Sequence, residues 1–190
     1  MALIILMGPK HSGKTSAGRE LARRMELPFF DLDALIEERT GKSPRELYRI
    51  GLSGEAGLKL FWREEETALE ALLQKYAFTD KHYAAVLAAG GGIIDNPGAM
   101  ALLKKEPREH CTVFLELSAG TAWQRIVNQG ELPPFLEAES PEASKEKHRA
   151  LHKKRNGQYK QFASLSIDAE EKTPARLAEE LYNLILFNSQ

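Results

Sequence analysis

Residues 8–15 leave fewer architectures open than any other part of this sequence. They read Gly8-Pro9-Lys10-His11-Ser12-Gly13-Lys14-Thr15 and fit the phosphate-loop pattern G-x-x-x-x-G-K-[ST] directly after an apolar run at residues 3–7. The spacing has a mechanical purpose. Gly8 and Gly13 let backbone N–H groups turn inward around phosphate oxygens, and a helix starting at Lys14 adds the positive end of its dipole. Lys14 then neutralises the outer phosphates, and the Thr15 hydroxyl ligates Mg²⁺. Gly8, His11, Ser12, Gly13, Lys14, Thr15 and Ser16 are therefore the expected nucleotide contacts, with ATP or GTP as the ligand.

A phosphate loop needs a buried strand before it and a helix after it, and the rest of the chain supplies more of both. Short apolar runs at residues 28–30, 84–88, 112–117 and 165–167 read as four further strands. Helix signals lie between them at 19–25, 32–39, 64–76, 121–129 and 145–161, and Thr173-Pro174 caps a last helix. This alternation predicts an α/β fold in three layers: a five-stranded, mostly parallel sheet with helices on both faces. A chain of 190 residues, 43% hydrophobic and 28% charged, can bury one such core and is too short for two. Residues 51–57 form a glycine-containing break. Residues 130–144, with two consecutive prolines and no Lys or Arg, read as a mobile loop or lid. Trp123, Phe162, Leu181, Leu184, Ile185 and Phe187 read as core, and the i, i+4 pair His148 and His152 as an exposed helix face.

Charge and composition exclude several classes of partner. Lys and Arg number 26 against 27 Asp and Glu, so a sequence-blind nucleic-acid binder lacks its basic surface and a small substrate is expected instead. No apolar stretch approaches the roughly 20 residues of a membrane-spanning helix. The N-terminus shows no basic leader, and the single Cys111 reads as a small core residue in a reducing compartment. Together these predict a cytoplasmic protein.

The phosphate loop does not separate a switch, a motor and a small-molecule kinase. No Asn-Lys-x-Asp guanine-reading segment occurs, and no acidic residue ends the third strand, so switches and motors lose ground. Phe30-Asp31-Leu32-Asp33 ends the second strand, expected beside the phosphate loop. On an extended segment the two carboxylates point the same way, so Asp31 could orient Mg²⁺ through water while Asp33 holds and deprotonates a hydroxyl. Alternatively, Asp33 only caps the helix that follows.

With these residues in view, the chain resembles the shikimate kinase family, P-loop enzymes that phosphorylate the 3-hydroxyl of shikimate with ATP. The likeness is carried by Gly13-Lys14-Thr15-Ser16-Ala17-Gly18-Arg19-Glu20-Leu21-Ala22, Phe30-Asp31-Leu32-Asp33 with Ile36-Glu37, and Gly41-Lys42-Ser43. It continues in Trp62-Arg63 with Glu66, Gly90-Gly91-Gly92, Arg155 with Tyr159, and Ile167-Asp168 before Thr173-Pro174. The resemblance implies a nucleoside-monophosphate-kinase-like fold in a single domain, with a substrate-binding region at about 32–76 and a lid at about 130–144. It implies ATP and Mg²⁺, shikimate as small-molecule partner, and a monomer. It also implies that Arg63 and Arg155 grip the substrate carboxylate, that the Gly91 and Gly92 amides meet the same substrate, and that Asp33 is the base. Arg125 and Lys172 fall at its adenine-covering positions.

Departures accompany the likeness. His11 replaces a usual glycine, Trp62 a usual Phe, and the stretch between Tyr48 and Arg63 is longer than the pattern. The family's lid arginine is missing: the corresponding stretch is Leu132-Pro133-Pro134-Phe135-Leu136, and nothing basic occurs between Ile126 and Ser144. Lys10, Lys145, Lys147 and Arg149 are the candidate replacements. Two other readings stay open: a kinase of another carboxylated polyol such as gluconate, and a nucleotide-binding module without catalysis.

Overall fold

The computed structural model describes residues 2–50, 54–76, 83–105, 110–130 and 132–188. Every apolar run read from the sequence is a strand: β1 (Ala2–Met7), β2 (Phe29–Asp31), β3 (Tyr83–Ala88), β4 (Cys111–Glu116) and β5 (Leu165–Asp168). They make one sheet in the order β2-β3-β1-β4-β5, with every neighbouring pair parallel. The inner strands β1 and β3 are almost wholly apolar, and β4 breaks the pattern only at Thr112 and Glu116, because helices cover both faces of the sheet.

Alternation along β1 shows how two cores arise from one strand. Leu3, Ile5 and Met7 join one cluster with Leu32, Ile36, Leu69 and Leu72. Ile4 and Leu6 join the other with Ala17, Leu21, Leu177, Leu181 and Ile185. Successive side chains on a strand face opposite ways, so a five-residue apolar run is divided between two layers. Helices α1 (Lys14–Met25) and α8 (Pro174–Phe187) cover the second face. The first is covered by α2 (Leu32–Thr40) and α4 (Gly54–Tyr76), with α3 (Pro44–Ile50) and α5 (Pro97–Lys105) against α4. Helices α6 (Ala119–Asn128) and α7 (Pro141–Phe162) pack together beside β4.

Helix starts follow capping chemistry. The side chains of Asp31, Ser118, Ser140 and Thr173 each accept a hydrogen bond from a backbone N–H in the first turn that follows. Asp31, not Asp33, is therefore the cap of α2. Asp33 lies inside the first helical turn, so the two carboxylates do not share one extended segment.

Several expectations are corrected here. The end of β2 lies beside the phosphate loop as expected, with Thr15 Oγ1 donating to Asp31 Oδ2, but not through strand adjacency, because β3 lies between β1 and β2. Helix α7 begins at Pro141, inside the segment read as a loop, because Ser140 and Pro141 form a strong helix start; a 3-10 turn at Pro134–Leu136 fills more of it. Helix α5 was not anticipated. Residues 51–53 of the expected break lie outside the described residues, and Gly57 is inside α4. His148 and His152 are buried at 6% and 7% exposure, whereas Phe187, read as core, is 80% exposed.

Gly57 is buried where α4 crosses the end of α3, and a Cβ there would run into the backbone carbonyl of Tyr48. Backbone cannot yield as a side-chain tip can. Gly57→Ala is expected to destabilise the protein by about 1–3 kcal/mol in urea unfolding, and an unchanged midpoint would show that α3 is not held this closely.

Candidate active site

The phosphate loop leaves β1 at Met7 and turns through three left-handed residues or near relatives: Gly8 at φ 143°, His11 at φ 63° and Gly13 at φ 91°. At Gly8 only glycine fits, since a Cβ would sit 2.6 Å from the Leu115 carbonyl oxygen. Lys14, buried at the start of α1, reaches back across the loop and donates to the carbonyls of Gly8 at 3.0 Å and Pro9 at 2.7 Å. Ser12 Oγ lies 3.4 Å from the same ammonium. Burial pulls Lys14 down to about 8, although Asp33 and Asp31 oppose the shift. His11 is held down at about 4 by burial and then by Lys10, Lys14 and Arg125, so its ring is neutral at pH 7.

Although β3 separates β1 from β2, α1 bridges the gap. Thr15 Oγ1 donates to Asp31 Oδ2 at 2.7 Å, which brings the expected metal-binding hydroxyl and carboxylate together. Asp33 follows in the first turn of α2. Its carboxyl opens onto the cleft but is ringed by protein, and burial followed by the charge of Asp31 raises its pKa against the pull of Lys14 and Lys10.

Two cavities flank Asp33. One, of about 530 Å³, is lined by Lys10, His11, Gly13, Lys14, Thr15 and Ser16 of the phosphate loop, and by Asp31 and Arg125. Arg125 Nη1 also donates to the His11 carbonyl at 2.8 Å, fixing its guanidinium at the rim. The other cavity, of about 400 Å³, is walled by Tyr48, Phe61, Trp62 and Phe135, with Gly90, Gly91 and Gly92 along one edge. Arg45, Asp95, Lys147 and Arg155 bring charge to its wall. Among the described residues only Lys10, Asp33 and Gly91 line both.

The glycine triplet is a place of close approach. Arg155 Nη2 lies 3.0 Å from where a Cβ of Gly92 would be, and the Lys10 backbone nitrogen is equally near that of Gly91. Arg155 Nε donates to Asp95 at 2.7 Å and Nη1 to the Gly91 carbonyl at 3.2 Å. Its guanidinium also stands 5.5 Å over the Phe135 ring.

Not every expected residue comes to this cleft. Arg63 is exposed on α4 and lines neither cavity, whereas its neighbour Trp62 faces the second one. One residue along a helix is a turn of about 100°, so placing Arg63 on the cavity side was wrong by that angle. Lys172 is ion-paired with Glu180 of α8 and lines neither cavity. Gly8 and Ser12 are buried supports of the loop rather than cavity wall.

Three residues escaped sequence reasoning. Arg45 on α3 lines the second cavity, and its Nη2 donates to the Leu132 carbonyl at 2.7 Å. The signal was its place one helical turn ahead of Tyr48 and Arg49 in a short charged helix, too weak to stand out. Asp95 fixes Arg155 from the 3-10 turn at Ile93–Asp95. Glu65 is wholly buried beside Gly90 and accepts from Asn96 Nδ2 at 3.0 Å; burial lifts it to about 7. In the sequence it was lost within three consecutive glutamates.

A donor cavity on a phosphate loop, meeting a second cavity at a shared carboxylate and lysine, defines a P-loop small-molecule kinase. Sequence comparison makes this more specific: the family profile described as shikimate kinase matches residues 10–186. The chain belongs to the shikimate kinase family. It is 30% identical over 183 residues to a shikimate kinase of Aromatoleum aromaticum, covering 96% of this chain and 94% of that one. It is 32% identical over 170 residues to one of Mycobacterium avium, covering 90% and 85%. Among solved structures, shikimate kinase from Acinetobacter baumannii in complex with shikimate superposes with a TM-score of 0.80 at 29% identity, over 98% of this chain and 93% of that one. A gluconokinase from Sinorhizobium meliloti, at 17% identity and a TM-score of 0.58, shows the fold alone.

His148 and His152 lie under the roof of the site, in a row of tilted rings with Trp123: centroids are 5.4 Å apart from Trp123 to His148 and 5.6 Å from His148 to His152. Burial, then the neighbouring His152 and Arg155, lowers His148 from 6.5 to about 4. The folded state thus binds fewer protons than the unfolded one between those values, and stability present above pH 6.5 is lost as pH falls. His148→Leu is expected to flatten that decline in thermal melts between pH 6.5 and 4.5; parallel curves for the two proteins would refute it.

Proposed function

We infer that this chain transfers the γ-phosphoryl group of ATP to the 3-hydroxyl of shikimate. The observation that carries the reading is the meeting of the two cavities at Asp33. Membership of the shikimate kinase family and the likeness to a shikimate-bound structure support the choice of acceptor.

The donor side is built for a triphosphate. The turn through Gly8, His11 and Gly13 cradles the phosphates, Lys14 offers its charge to the outer ones, and Arg125 stands at the rim for the base. A magnesium ion suits the oxygen donors present: Thr15 and Asp31 are in hydrogen-bond contact, and no group of three or more His, Cys, Asp or Glu poised for a metal occurs among the described residues. That is the donor set of an ion that completes its shell with water and phosphate oxygens rather than a protein cage. When bound, it neutralises charge on the phosphates.

On the acceptor side, Arg155 is oriented by Asp95 and the Gly91 carbonyl so that Nη2 can meet a carboxylate. Arg45 takes the part expected of Arg63, as the second guanidinium on the cavity wall. The Gly91 and Gly92 amides complete the cradle, and the aromatic walls shape it to a ring. Asp33 accepts the proton of the attacking hydroxyl; its raised pKa brings it nearer to that task. As the hydroxyl oxygen bonds to the γ-phosphorus, the bond to the bridging oxygen breaks and ADP leaves with that electron pair. The segment 132–140 above the cavity limits water, and hence wasteful hydrolysis.

An assay coupled to ADP release, run with shikimate, gluconate and other hydroxy acids, tests the reading. Shikimate is expected to be the best acceptor, and Asp33→Asn to lower kcat by roughly 100-fold or more. ATP binding with no turnover on any acceptor would favour a non-catalytic module, which the absent lid arginine makes worth testing. Arg45→Ala and Arg155→Ala are each expected to raise the KM for shikimate about 10–100-fold, with Arg63→Ala within about threefold. The reverse order would return Arg63 to the site.

A further inference from the structure

Phosphoryl transfer spreads negative charge over the moving group, and P-loop enzymes commonly set a cation across it in addition to the loop lysine. Here the segment over the site carries no basic residue between Ile126 and Ser144. The cations around the cleft divide cleanly by position. Of the two main cavities, Lys14 and Arg125 line the donor cavity alone, and Arg45, Lys147 and Arg155 the acceptor cavity alone. Lys145 and Arg149 are exposed on α7 and line neither. Among the described residues Lys10 is the one cationic residue common to both cavities, and with Arg155 it also lines a small third cavity beside Phe135 and Leu136.

Its backbone explains this place. Lys10 is the third residue of the phosphate loop, and its nitrogen packs at the tight approach of Gly91, so the residue is clamped where the loop meets the glycine triplet. The side chain is exposed to the cleft and, among the described residues, has no hydrogen-bond or ion-pair partner. Every other cation that lines the acceptor cavity is engaged: Arg155 with Asp95, Arg45 with the Leu132 carbonyl, and Lys147 with the Glu137 carbonyl at 3.3 Å. Lys10 acts electrostatically on both sides, since its charge bears on Lys14 in the donor cavity and on Asp33 at the boundary.

We propose that Lys10 is a catalytic residue whose ammonium bridges the two cavities and neutralises the phosphoryl group in flight, the work for which the segment above carries no arginine. The proposal deepens the kinase reading and rests on it for the acceptor. Lys10 gains and loses no proton in the step: the acceptor proton passes to Asp33, the new P–O bond forms as the bridging P–O bond of ATP breaks, and the ammonium offsets charge on the non-bridging oxygens. A lysine in the loop replaces a guanidinium in the roof, so the charge belongs to the same loop that holds the phosphates.

The test is steady-state kinetics of the full chain with ATP, Mg²⁺ and shikimate. Lys10→Ala is expected to lower kcat roughly 100- to 1,000-fold, with both KM values within about threefold of the parent. Lys10→Arg should retain most of the activity, methylammonium added to Lys10→Ala should restore part of it, and Lys145→Ala should match the parent. A kcat for Lys10→Ala within about threefold of the parent, or a loss confined to the KM for ATP, overturns the proposal. ATP hydrolysis without acceptor separates the two readings. If the parent fails to phosphorylate shikimate, the acceptor reading falls. The hydrolysis rates of parent and Lys10→Ala then decide on Lys10 alone, a large drop supporting it and equal rates overturning it.

Discussion

The ammonium of Lys14, buried and held by oxygens of Gly8, Pro9 and Ser12, is the interaction on which the rest of the site depends. A charge taken from water needs several partners, and a loop that supplies them from its own backbone must adopt one shape. That shape requires left-handed turns at His11 and Gly13, and it points the first turn of α1 at the cleft. Thr15 then lands on Asp31, which caps α2, and α2 carries Asp33 to the boundary of the two cavities. One buried cation thus sets the position of residues on two elements that share no strand pairing.

The acceptor half is organised differently. Its wall comes from α3, α4, the triple-glycine loop and α7, and side chains rather than sheet hydrogen bonds tie these together. Phe135 is the meeting point: Tyr48 of α3 lies edge-on at 6.4 Å and Arg155 of α7 stacks at 5.5 Å. Arg45 adds a hydrogen bond to Leu132. Such contacts are individually worth little, so this half can change shape while the nucleotide half stays fixed.

What could be read from the sequence follows the same division. The phosphate loop, Asp31, Asp33 and all five strands were legible because each depends on a local rule: glycine geometry, strand alternation, carboxylates at a strand end. The acceptor site was legible only in part. Arg155 and the glycine triplet, expected at the acceptor site, do line the second cavity, but Arg63 was chosen where Trp62 faces it, because phase along a long helix is settled by packing and not by spacing alone. Arg45 and Asp95 act through contacts between segments far apart in the chain, which no single stretch reveals. Helix α7 was read too short at its start, since two prolines and three glutamates mask a cap at Ser140.

The strand order has a consequence for how the chain is made. β1 pairs only with β3 and β4, whose first residues are Tyr83 and Cys111. During synthesis at about 5–20 residues per second, the most apolar segment of the protein therefore waits several seconds for either partner. Helix α1, which follows at once, can cover one of its faces through Ala17 and Leu21, but the face bearing Leu3, Ile5 and Met7 stays open. The nascent chain is thus exposed to misassociation until the middle of the molecule has left the ribosome.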